Sequence, residues 1–203
     1  MQCHDTSTPG IPATSIDAAA LASGGKKDNR RELDFYPTPP DVTEALLRFL
    51  NLSPCDVWEP ACGDGAMSRV LEAAGHSVHS SDIRKTGYGC GGVNFLATES
   101  RKFDAIITNP PFAVSEQFIR KALDSAPLVS MLLKSQYWHA QKRQALLLQH
   151  PPAWVLPLTW RPDFLNGERG GAPTTECLWT VWVQGEADTR YRTLPRPVSG
   201  LLL

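Results

Sequence analysis

The sequence predicts an α/β domain built on a mainly parallel, doubly wound sheet that ends in an antiparallel hairpin, and three observations lead there. Strand-like and helix-like stretches alternate from about residue 36 onward. Most of the strand-like stretches are apolar throughout rather than half-polar, as expected of strands covered on both faces. Glycines and isolated polar residues cluster where strands end, the edge at which such sheets bind ligands. A length of 203 residues suits one main domain with a core of its own.

Taken in order, Phe35-Tyr36-Pro37-Thr38-Pro39-Pro40 is an extended, proline-stiffened entry to an amphipathic helix through Val42, Ala45, Leu46, Phe49 and Leu50. Asp56 to Glu59 reads as a short strand and Cys62-Gly63-Asp64-Gly65 as a tight turn. A second helix runs through Met67, Val70, Leu71 and Ala74 and is closed by Gly75. Ser77 to Asp82 alternates as a strand, a glycine-rich loop spans Gly87 to Gly92, and Val93 to Leu96 reads as another short strand. Phe103 to Thr108 is the strongest buried-strand signal and breaks at Asn109-Pro110-Pro111-Phe112. Helices are expected over Ser115 to Ser125 and Tyr137 to Leu148, with a strand from Leu128 to Leu133 between them. Two last strands, Trp154 to Leu158 and Cys177 to Val183, flank a glycine-rich loop from Asn166 to Ala172. Residues 1–32, rich in small residues, are expected to form a flexible arm, 33–185 the domain, and 186–203 a C-terminal tail.

Composition excludes several classes. Twenty Lys plus Arg against 21 Asp plus Glu give a net charge of −1, so nucleic-acid contact, if any, must come from a local patch. Five cysteines without CxxC or zinc spacing disfavour a disulfide framework and a metal site, and suit a reducing cytoplasm. No apolar run reaches the roughly 18 residues of a membrane helix, and no targeting segment is expected.

The chemistry gathers at the expected strand ends. Glycines at a strand-to-helix turn let backbone N–H groups approach a ligand, and Asp82, 19 residues after Gly63, suits a carboxylate that accepts from ribose hydroxyls. Together they indicate an adenosine-containing cofactor. A dinucleotide fingerprint wants a third glycine where Ser68 stands, and Glu59 would repel a pyrophosphate, so a cationic cofactor, S-adenosylmethionine, fits better. In Asn109-Pro110-Pro111-Phe112, a side-chain amide oxygen and a backbone carbonyl can both accept from one planar NH2 group. That arrangement positions the amine for in-line displacement at a sulfonium methyl, and Phe112 offers a face for its ring.

With these motifs the chain resembles class I S-adenosylmethionine-dependent methyltransferases, with their Rossmann-like fold, and within them the DNA adenine-N6 group that carries an NPPF motif. The resemblance covers about Tyr36 to Val183 and has the gamma-like motif order and short form of phage or prophage enzymes. It implies Asn109, Pro110, Pro111 and Phe112 as catalytic residues. It also implies Glu59, Ala61, Gly63 and Gly65 around the methionine and ribose, Asp82 on the ribose hydroxyls, Ile83 against the adenine, and Asn94-Phe95 at its edge. Tyr36, Pro37 and Thr38 would close over the cofactor, with Asn109 shared between cofactor and target. The implied activity is methyl transfer to N6 of adenine in DNA with base flipping and S-adenosylhomocysteine as product, in a bacterial or phage-encoded cytoplasmic enzyme. RNA is the alternative substrate. A protein glutamine amide, or a silent cofactor-binding or DNA-binding module, stands further off.

Charge distribution adds a hint about the target. Residues 1–133 hold 12 basic and 16 acidic residues, a balance of −4, whereas 134–203 hold 8 and 5, a balance of +3. Lys134, Lys142, Arg143, Arg161 and Arg169 lie among Tyr137, Trp138, Trp160 and Phe164, a mixture suited to phosphates and unstacked bases. Residues 134–176 are therefore the candidate target-contacting region. The short chain beyond the catalytic motif leads us to expect weak sequence specificity.

Overall fold

The computed structural model describes residues 36–99, 101–164 and 172–198. The expected N-terminal arm, Phe35, Arg169 and most of the glycine-rich loop at 166–172 lie outside the described residues.

The sheet has eight strands: β1 (Asp56–Glu59), β2 (Ser77–Asp82), β3 (Cys90–Gly91), β4 (Ala105–Thr108), β5 (Leu128–Lys134), β6 (Trp154–Pro157), β7 (Cys177–Val183) and β8 (Arg190–Tyr191). They lie in the order β3-β2-β1-β4-β5-β7-β6-β8. Strands β3 to β5 are parallel, and β7 runs antiparallel between β5 and β6. The chain starts at β1 in mid-sheet, builds outward through β2 and β3, then returns to lay β4 on the other side of β1. That reversal opens a crevice beyond the carboxyl ends of β1 and β4, where the glycine turn and Asn109 leave the sheet. The fold is a Rossmann-like, mainly parallel doubly wound sheet that ends in an antiparallel part, as expected.

Alternation along the strands sorts side chains into two cores. Val57, Ala105, Ile107, Leu132 and Trp179 face helices α1 (Pro40–Leu50) and α2 (Ala66–Ala73), meeting Val42, Leu46, Met67 and Leu71. Trp58, Ile106, Val129, Met131, Leu133 and Trp182 face the other way, onto Phe118, Ile119 and Ala122 of helix α3 (Ser115–Leu123) and Leu146 of the short helix α4 (Gln144–Gln149). Helix α1 starts with its proline in the first turn, where the missing N–H costs nothing. It ends at Asn51, whose left-handed backbone (φ 46°) turns its N–H back to the Leu47 carbonyl. Fully buried Trp179 donates its indole N–H to the Val42 carbonyl at 3.0 Å, tying α1 to the sheet.

Three expectations need correction. Val93 to Leu96 is no strand: Asn94 Oδ1 accepts from the Leu96 N–H and starts a 3-10 turn, Phe95–Ala97, while Cys90–Gly91 supplies the edge strand. An Asn side chain that caps its own backbone outcompetes sheet pairing. The expected helix from Tyr137 to Leu148 is broken into 3-10 turns and α4, because Ala140 is extended and the Tyr137 carbonyl accepts from Arg143 Nη1 instead of a helical amide. Residues 190–194 are no tail: β8 pairs with β6, and Leu194 is buried, its N–H donating to the Pro157 carbonyl at 2.8 Å. Cys90 is disulfide-bonded, while Cys55, Cys62 and Cys177 carry free thiols. Scattered spacing argues against a disulfide framework, not against a single bridge.

Among the described residues no helix is long and apolar enough to cross a membrane, and no cluster of His, Cys, Asp or Glu could hold a metal ion. Trp179→Phe, which keeps most of the apolar volume but leaves the buried Val42 carbonyl unpaired, should cost about 1–3 kcal/mol of stability in urea unfolding.

Candidate active site

The crevice is assembled from the ends of β1, β2 and β4. Gly63 (φ 56°) and Gly65 (φ 84°) take left-handed conformations that curl the chain from β1 into α2. The Gly63 N–H donates to Asp82 Oδ2 at 2.9 Å, so the turn is fastened to the end of the neighbouring strand. Asp82, 2% exposed, also accepts from the Arg84 N–H at 2.8 Å and from the Arg84 guanidinium at 2.9 and 3.0 Å. Burial works to raise the pKa of Asp82, but the hydrogen bonds from Arg84 and Gly63 outweigh it and hold the group below its ordinary value. Ile83, next along, is 43% exposed and presents an apolar surface beside the acid.

The loop after β2 clasps the turn from outside. Thr86 Oγ1 donates to the Gly63 carbonyl at 2.5 Å, and the Tyr88 ring lies over Gly65, where a Cβ would clash with it. Tyr88 in turn donates to Glu72 on α2 and carries the Arg69 guanidinium on its face. Sequence reasoning missed this clasp; Gly65 followed at a distance by an aromatic in a glycine-rich loop was its only trace.

Glu59 behaves differently from its expected role. Its carboxyl, 2% exposed, turns beneath the turn and accepts from Ser68 Oγ, which is also 2.7 Å from Ser80 Oγ. Burial pushes its pKa up to about 8, against the lowering effect of the Ser68 hydrogen bonds. Burial thus favours the neutral carboxyl, and the group faces Ser68 beneath the turn. Ser68, the residue that interrupts a dinucleotide fingerprint, has a structural duty: it links β1, β2 and α2.

Across the crevice, β4 ends at Thr108 and the alternation continues to place Asn109 on the α1 side. There its Nδ2–H donates to Thr38 Oγ1 at 3.1 Å. Thr38 is 5% exposed and lies in the proline-stiffened segment before α1, with half-buried Tyr36 and Pro37 leading into it. With the amide nitrogen turned to Thr38, Oδ1 stays available as an acceptor. Beyond Asn109, Pro110 is buried, the Pro111 carbonyl accepts from the Val114 N–H, and the Phe112 carbonyl accepts from Ser115 Oγ. Phe112 is half-buried, with Lys134 Nζ 4.1 Å from its ring centroid.

Other expected site residues are placed as follows. Ala61 is half-buried in the turn. Asn94 spends its Oδ1 on the Leu96 N–H, and Phe95 is a core side chain packed against Trp58 and Phe118. The expected aromatic wall is mostly interior: Tyr137 is 5% exposed and Phe164 9%, while Trp138 and Trp160 pack against the cores. Arg143 lies on the Tyr137 ring at 3.9 Å, Arg161 pairs with Glu176, and Lys142 is exposed.

No family model and no curated protein matches the chain. Solved structures do, as likenesses of fold. A protein proposed to be an RNA methyltransferase from Pyrococcus horikoshii superposes with a TM-score of 0.60 at 16% identity, covering 82% of this chain and 96% of the other. A type I restriction-modification methyltransferase subunit from Streptococcus thermophilus gives 0.61 at 10% identity, over 78% of this chain and 47% of that one. The modification subunit of a proposed type I restriction enzyme from Vibrio vulnificus gives 0.58 at 12%, over 82% and 48%. This chain thus spans about half the length of the two restriction-modification subunits.

The raised pKa of Glu59 fixes the sign of a pH effect. Its contribution to stability is fully present below the unfolded value of 4.5 and is lost as pH rises toward about 8. The thermal midpoint should therefore fall between about pH 5 and 8, and Glu59→Gln, which cannot ionise, should flatten that slope in calorimetric scans.

Proposed function

We propose that the protein transfers the methyl group of S-adenosylmethionine to the N6 amine of adenine in DNA. The contact between Asn109 Nδ2 and Thr38 Oγ1 carries this reading, because it supports an amide held in place at the end of β4 with its oxygen available to a target amine. The crevice residues suit the cofactor: a turn with two left-handed glycines, a buried acid fastened to that turn, and an exposed isoleucine beside the acid. When bound, the cofactor supplies an electrophilic methyl carried on a sulfonium.

Asn109 Oδ1 and the Pro110 carbonyl accept hydrogen bonds from the two amine N–H groups, which turns the nitrogen lone pair outward without a prior deprotonation; the N–CH3 bond forms as the S–CH3 bond breaks, and the cationic nitrogen then loses one proton to solvent. The α1 entry segment holds Asn109 in place through Thr38. Phe112 bears Lys134 on one face, so an extruded base stacks on the other face or displaces the lysine. The proteins described as restriction-modification subunits support DNA as substrate. RNA is the second reading, supported by the Pyrococcus horikoshii protein, whose chain is matched over nearly its whole length.

The test is incubation with methyl-labelled cofactor and, separately, duplex DNA, single-stranded DNA, RNA and protein extract. Label in DNA supports the proposal, whereas label confined to RNA or protein would falsify it. Asn109→Ala should abolish transfer with little change in cofactor affinity. Thr38→Val, isosteric but unable to accept, should lower kcat by roughly tenfold while leaving KM for the cofactor within about twofold, as expected when an orienting hydrogen bond of about 1.4 kcal/mol is lost.

A further inference from the structure

A carboxylate offers about four in-plane acceptor directions, two on each oxygen. At Asp82 four donors occupy them. Oδ2 receives the Gly63 N–H at 2.9 Å and Arg84 Nη2 at 3.0 Å; Oδ1 receives the Arg84 N–H at 2.8 Å and Arg84 Nε at 2.9 Å. The two backbone donors belong to the glycine turn and the end of β2, and they cannot leave without dismantling both. The other two belong to one side chain, 22% exposed, on a loop whose backbone is anchored separately through Thr86 and Tyr88. The acid that the cofactor reading assigns to a ribose is thus already saturated by the protein.

We propose that the Arg84 side chain is a resident competitor for the ribose subsite, and that a ligand with a ribose cis-diol binds Asp82 by exchanging its two O–H donors for the two guanidinium N–H donors. The inference rests on the proposed cofactor and adds what limits its affinity. The turn and strand end keep their two bonds throughout, so only one side chain moves. In the closed state Arg84 keeps the buried carboxylate ionised, which leaves it ready to accept from hydroxyls once the guanidinium swings out. A ligand without the diol has no reason to displace it.

The experiment measures dissociation constants by calorimetry at about pH 8 for wild type, Arg84→Ala and Arg84→Lys. The ligands are S-adenosylhomocysteine, 5′-methylthioadenosine and the 2′,3′-dideoxy form of the latter. Arg84→Ala leaves two acceptors on Asp82 unfilled and costs stability; Arg84→Lys keeps the charge but loses the paired donors. The two diol ligands should bind at least about fivefold tighter to Arg84→Ala, with Arg84→Lys in between, and the dideoxy ligand should show no gain. Equal or weaker binding of the diol ligands by both variants overturns the proposal, as does an equal gain for the dideoxy ligand. Failure of the wild type and both variants to bind S-adenosylhomocysteine removes the cofactor reading itself, whereas wild-type binding without a gain in the variants removes this inference alone.

Discussion

The site depends on one buried carboxylate. Asp82 joins the end of β2 to the turn after β1 through the Gly63 N–H, and so determines where that turn lies relative to the sheet. A charge 2% exposed survives only because donors surround it. Without that fastening, the left-handed glycines would leave the turn with many conformations and the crevice with no defined wall. The loop after β2 reinforces the same point from outside, through Thr86 on the Gly63 carbonyl and the Tyr88 ring on Gly65.

The opposite wall is set by strand order. Because β4 lies beside β1, with Trp58 opposite Ile106, the residue following β4 necessarily emerges next to the turn following β1. Strand alternation then places Asn109 on the α1 side, where Thr38 waits. Sheet topology places the segments around residues 63 and 109 side by side, and the Asn109 contact brings the segment around residue 38 to them. The extended geometry imposed by Pro37, Pro39 and Pro40 is what allows that last segment to reach.

The main architecture was legible in the sequence because most of its strands are short apolar runs ended by proline or acid, as in Asp56 to Glu59 and Phe103 to Thr108, while Ser77 to Asp82 alternates and ends in an acid. What escaped were features decided by side chains acting on backbone: Asn94 capping its own turn, and Arg143 taking the Tyr137 carbonyl. Leu194 was illegible for another reason, since a single apolar residue among prolines and arginines carries no period. In the site, residue types were readable and their couplings were not. Glu59 looked like a charge facing a ligand, yet its partner is Ser68 and burial favours its neutral form. Tyr137 and Phe164 looked like a wall for bases, yet the cores needed them.

The central claim concerns one atom, the exocyclic nitrogen of adenine. Its most direct measurement is mass spectrometry of nucleosides from DNA treated with the protein and S-adenosylmethionine bearing a deuterated methyl group. The account predicts heavy N6-methyldeoxyadenosine that disappears with Asn109→Ala; heavy methyl on a cytosine ring carbon, or product that persists in that variant, would contradict it.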